Sequence, residues 1–136
     1  MATSRRTIVI AVVIAALALT ACNPEEARLE TLRTDPMADV HLPDAVDVKV
    51  AETGGNLRFG VTSSAFIRHG FTMPPGGVPD AIEDLAEQAR AAGWDLHDPA
   101  SGYGGSKIVG GLSSSIGIGG LPDSNDAWVE ISTNDS

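Results

Sequence analysis

The sequence predicts an α+β fold, with one helix at about residues 79–92 packed on an antiparallel sheet in the order β-β-α-β-β-β. Three observations carry this expectation. "VDVKV" and the longer "LRFGVTSSAFIRHGF" alternate apolar and polar residues, which is the period of a half-buried strand. Ile82, Leu85, Ala86 and Ala89 recur at helical spacing. Beyond them, Ile108, Leu112, Ile116, Ile118, Val129 and Ile131 are spread among glycines and serines around "LPDSND", as in two or three short strands joined by turns.

In chain order, residues 23–45 come first among the segments that follow the greasy amino end. They hold many charges, three prolines and few large apolar groups. Two readings stand open: a tether with a helical turn or two around Glu25 to Leu32, or a segment packed along the domain through Leu29, Leu32, Met37, Val40 and Leu42. The folded part is expected from Val46, with Val46, Val48 and Val50 on one strand face and Asp47 and Lys49 on the other. "ETGGN" supplies glycines for a hairpin turn. The next stretch keeps Leu57, Phe59, Val61, Ala65, Ile67 and Phe71 in phase for longer than the usual span of about 3–10 residues, so a bend near Ser63 and Ser64 is expected.

Pro79 suits the first turn of the helix, where its missing N–H is no loss. Asp80, Glu83 and Asp84 set negative charge at the positive end of the helix dipole. Gly93 is placed to be the left-handed residue beyond the last turn, letting Trp94 fold back on the apolar stripe near Ala89.

The amino end reads "MATSRRTIVIAVVIAALALTAC". Arg5 and Arg6 precede an apolar run from Ile8 to Leu19, too short for the roughly 20 residues of a membrane-spanning helix. That order is a signal peptide's. Leu19, Thr20, Ala21 and Cys22 resemble the lipobox of bacterial lipoproteins. The resemblance implies a diacylglyceryl, palmitate-bearing Cys22, recognition of Leu19 to Ala21 by the lipoprotein signal peptidase, and an anchor on the extracytoplasmic face of the cell membrane. Residues 1–21 are then a signal peptide, 22–45 the lipidated cysteine and tether, and 46–136 a small α+β domain. A thioether at the single cysteine also leaves no thiol in want of a disulfide partner. The arginine pair resembles a twin-arginine export signal as well, though the strongly apolar residues after it suit the general secretory route. "RHGF" before the helix, "AAGW" at its end and a following strand with Lys107 give a looser resemblance to small actinobacterial lipoproteins, which implies the fold and no activity.

Cleavage before Cys22 removes two of the nine basic residues and none of the 18 acidic ones, so the mature chain is more acidic than the full-length net charge of −9. Such a domain is not suited to nucleic acid or to an anionic bilayer through a basic patch. Stable membrane contact then falls to the two acyl chains.

No motif carries a reaction. "GIGGLP" lacks the last glycine of a dinucleotide loop and runs into Pro122. Ser113, Ser114 and Ser115 lack the flanking glycines of a nucleophile elbow. His41, His69 and His97 have no ligand spacing. Asp95, Asp98, Asp123, Asp126 and Glu130 suit a solvated surface better than a cation site, because "DSNDAW" lacks the glycine and distal glutamate of a calcium loop. No cofactor, metal or catalytic residue is expected. The sequence points to a monomeric, non-catalytic interaction module of the cell envelope with a protein partner, for which Trp128 and Phe66, out of phase with their strands' inward residues, are candidate contacts. Their bland alternative is a second small core beneath the tether. The other functional class is a small-ligand or cation-binding lipoprotein with the glycine-rich segment and Tyr103 at a pocket lip.

Overall fold

The computed structural model describes residues 24–55, 63–97 and 102–134. The elements are α1 (Pro24–Arg33), β1 (Asp47–Thr53), β2 (Phe66–Thr72), α2 (Val78–Ala91), β3 (Asp95–His97), β4 (Tyr103–Val109), β5 (Leu112–Leu121) and β6 (Asp126–Thr133), with 3-10 turns at Pro36–Asp39 and Pro122–Ser124. The strands form one antiparallel sheet in the order β1-β2-β6-β5-β4-β3. Both helices lie on one face, α1 against β2 and β6, α2 against β5, β6 and β3.

The α+β class and the antiparallel sheet are as expected, but the element order is corrected to α-β-β-α-β-β-β-β. A second helix and a sixth strand account for the difference. α1 falls in the charged stretch and buries only Leu29 and Leu32. So thin a stripe stabilises a helix only once it has a surface to pack on. β3 has three residues, too few for alternation to register. The part of the long alternating stretch at 57–62 lies outside the described residues. β2 begins beyond Ser64, and Ala65 continues the ladder through a backbone bond from Thr133 N to its carbonyl, 2.9 Å.

α2 begins within a residue of the expected start, with Pro79 in its first turn. Ala81, Leu85, Ala86 and Ala89 are buried beneath it, while Ile82 is partly so. At its end Gly93 has φ +94°, and Trp94 N donates to Ala89 O at 3.0 Å. This left-handed cap turns the chain back at the end of the helix, where Trp94 is buried. At the β4–β5 hairpin Gly110 and Gly111 both take positive φ, as a tight turn of that twist requires.

The packed reading of residues 24–45 matches the structure. Leu29, Leu32, Met37, Val40 and Leu42 are all buried in the same cluster as Ile67, Phe71, Leu85, Val129 and Ile131. Burying a leucine or methionine contributes about 1.5–3 kcal/mol. Arg28 ties the same segment to the sheet by donating to the carbonyls of Gly54 (2.8 Å) and Ser63 (2.9 Å).

Candidate functional site

With both helices on one side, the sheet has a covered face and an open one. Ile67, His69 and Phe71 of β2 and Ala127, Val129 and Ile131 of β6 point to the helices and are buried. Phe66, Arg68 and Gly70, with Trp128 and Glu130, point the other way. No described element covers them.

Trp128 is the centre of the open face. In register it stands between Gly70 of β2 and Gly119 of β5. Its indole lies against β5, where a Cβ on Gly119 would come within 2.8 Å of Trp128 Cζ2 and one on Gly117 within 3.3 Å of Cζ3. The alternate glycines of "GIGG" thus form a bed for an aromatic ring, while Ile116 and Ile118 face the core. Arg68 sits over the indole, 4.9 Å from the ring centroid, within reach of cation–π attraction. Its guanidinium also meets Glu130 at 3.4 Å. Beside Trp128 is a concavity of about 320 Å³ bordered by Lys49, Arg68, Gly70, Thr72, Leu121 and Asp126. Phe66 shares this face and is half-buried. The sequence marked Trp128 and Phe66 by phase alone. What it did not reveal was Arg68 over the ring, or the register that sets Gly117 and Gly119 under it.

The other singled-out residues are dispersed. Cys22 and the recognition residues Leu19, Thr20 and Ala21 lie outside the described residues, as does Asp98. His97 is on β3, four strands across the sheet from His69 on β2. His41 is exposed beside Asp39, 3.7 Å away. Among the described residues no group of three His, Cys, Asp or Glu side chains stands close enough to hold a metal ion. Asp95 is likewise on β3, while Asp123 lies in the 3-10 turn before β6 and Asp126 opens that strand. Ser114 is buried and donates to Leu112 O at 3.0 Å, and Ser113 accepts from Asn134 Nδ2 at 3.0 Å. These serines close the end of the β5–β6 ladder. Tyr103, between Gly102 and Gly104 on β4, donates its hydroxyl to Glu83 Oε1 at 2.6 Å across to α2, and Arg90 lies over its ring.

Besides Ser114 and Thr133, two further polar side chains are buried among the described residues, Asp35 and His69. Asp35 accepts from Trp94 Nε1 (3.0 Å), from Met37 N (2.9 Å) and from Lys107 Nζ, which also donates to Ala92 O. The Met37 bond caps the 3-10 turn that Asp35 opens, and the other two join that turn to the end of α2 and to β4. His69 is 6% exposed, and its Nδ1 is buried without a hydrogen-bond partner among the described residues. Burial pushes its pKa below the usual value. Asp39 and Glu52 oppose that shift, and His41 adds to it.

A second concavity, of about 440 Å³, opens at the start of α2 between Leu42, Asp44, Met73, Gly77, Asp80 and Asp84. Its three carboxylates favour cationic occupants. Among the described residues no helix is long and apolar enough to cross a membrane. No protein-family model, no curated protein and no solved structure matches the chain.

Proposed function

We propose that the chain is a lipid-anchored, non-catalytic interaction module of the bacterial cell envelope, which holds a protein partner against the open face of its sheet. The observation that carries this reading is the seating of Trp128. A half-buried indole is fixed on glycines and topped by Arg68, on a face that no described element covers. Tryptophan and arginine are the side chains most enriched where protein interfaces concentrate their binding energy. A ring held on a rigid bed loses little conformational freedom when a partner closes over it. The anchor part of the reading rests on Leu19-Thr20-Ala21-Cys22 and on the two-chain requirement for stable lipid attachment.

The test is a photo-crosslinking residue introduced at Thr72 in the full chain, followed by irradiation of intact cells. A discrete adduct that disappears when Trp128→Ala is added supports the interaction surface. No adduct at Thr72, or one indifferent to Trp128, refutes it.

A second reading, a site for a small cation or basic ligand, draws on the acidic concavity at the start of α2, whose volume is in the range of small-molecule sites. A calcium-dependent or amine-dependent rise in Tm that is lost in Asp80→Asn would favour it, because binding to the native state alone raises Tm.

A further inference from the structure

β1 is an edge strand of seven residues with its outer side free of any described strand. Edge strands are ordinarily shielded, because a row of unpaired N–H and C=O groups is a template for another strand. Here the row of side chains is apolar as well. Val46, Val48 and Val50 are 68%, 48% and 58% exposed, although they share the covered-face side of the sheet with buried Phe71 and His69. On the other side of the strand stand Asp47 and Lys49.

We propose that β1 is the interface of a homodimer, in which two copies pair their edges antiparallel about a two-fold axis through Val48. The charges select that register. With the axis at Val48, Asp47 of each copy is opposite Lys49 of the other, Val46 is opposite Val50, and Val48 meets itself. Opposite charges in directly paired positions stabilise a ladder, and like charges destabilise it. An axis at Asp47 or at Lys49 sets like charges face to face. An axis at Val50 puts Val48 opposite Glu52 and leaves both lysines unpaired. Lys49 by itself is a common guard against edge pairing. Two residues from Asp47 on the same face, it instead becomes complementary to a second copy of its own strand.

A two-fold axis perpendicular to the sheet keeps all helices on one side. It makes one continuous sheet whose open faces are coplanar, so each Trp128 lies on the same surface. The pairing stands independently of what that surface binds, and it replaces the expectation of a monomer.

The test is symmetric crosslinking of the full chain, purified in detergent and treated with a mild oxidant. Paired positions have Cβ atoms about 4.5–5.5 Å apart, near the span a disulfide bridges. Val48→Cys is expected to give a covalent dimer. Val46→Cys and Val50→Cys should do so only when mixed with each other. Ile108→Cys, more exposed than Val48 and on β4, should give none, and the parent chain sets the background from Cys22. Within the Val48→Cys chain, Asp47→Lys or Lys49→Asp should cut the dimer yield by about tenfold, and the two together should restore it. Circular dichroism confirms that each variant is folded. If folded Val48→Cys stays monomeric, or if the paired charge exchange fails to restore the yield, the proposal is overturned. A dimer that forms equally through Ile108→Cys overturns it as well.

Discussion

The carboxylate of Asp35 meets the ammonium of Lys107 inside the fold, joining residues 72 apart in sequence. The Asp35 side chain has no solvent exposure, and that of Lys107 has 24%. Removing one member of such a pair leaves the other charge without compensation. Lys107→Met, which strands the unexposed Asp35 carboxylate, is therefore expected to cost about 3–5 kcal/mol. Asp35→Ala should cost a comparable amount, because solvent reaches the ammonium it strands but the bonds from Trp94 and Met37 are lost with it. Urea unfolding of the single and double variants measures this. The double variant should be clearly more stable than the sum of the singles predicts.

The ion pair between Arg33 of α1 and Glu52 of β1 provides the contrast. It is exposed, and Glu30 and Glu26 share the same guanidinium. Hydrogen bonding to Arg33 holds the Glu52 carboxyl below its usual pKa. Even so, solvent screening limits such pairs to about 0–1 kcal/mol. Glu52→Gln should shift the urea midpoint little, and what shift there is should vanish at about 1 M salt.

His69 gives the stability a dependence on pH. Its native pKa is depressed by burial, so the unfolded chain binds the proton more tightly than the folded one. The neutral imidazole's contribution is complete above about pH 6.5, the value for an unperturbed histidine. It is lost as pH falls from there toward the native pKa, at no more than about 1.4 kcal/mol per pH unit. The groups facing it from neighbouring elements are Asp39, His41 and Glu52. In His69→Gln the melting temperature should fall less steeply between pH 6.5 and 5 than in the parent. An unchanged slope would mean that the imidazole is solvated.

What the sequence disclosed was what local chemistry decides. α2 was legible from Pro79, the Ile82 to Ala89 stripe and Gly93, because each acts within a few residues. Alternation exposed β1 and β2, and phase placed Trp128 and Phe66 on the uncovered side. α1 was half legible, since Leu29 and Leu32 become a stripe only against β2 and β6. The Asp35–Trp94–Lys107 network left no signal, because its members sit far apart and only the fold gathers them. The glycines of β5 were visible as a composition but not as a bed. That role needed the register fixed by the turn before β6.

Gly119→Ala should therefore disturb Trp128 before it disturbs the core. Its Cβ would stand 2.8 Å from Cζ2, on the ring rather than at the end of a flexible chain. The indole must lift, at a cost of about 1–3 kcal/mol typical of overpacking. Gly117→Ala, with 3.3 Å available, should cost less. The Trp128 indole N–H resonance in a nitrogen-15 spectrum should shift strongly in the first variant and weakly in the second, while that of Trp94, bonded to Asp35, should stay in place.

The anchor is tested at Cys22. If the thiol carries a diacylglyceryl group, the mature chain begins at that residue, and its mass exceeds that of residues 22–136 by the lipid. Cys22→Ala removes both the acceptor and the residue before which the peptidase cuts. Two acyl chains supply stable attachment, whereas an acidic surface adds no attraction to anionic lipid. The substituted chain should therefore keep residues 1–21, and its mass should show no lipid. Mass spectrometry of the parent chain showing an unmodified sulfhydryl at Cys22 would remove the anchor and leave the open face of the sheet to be explained in another compartment.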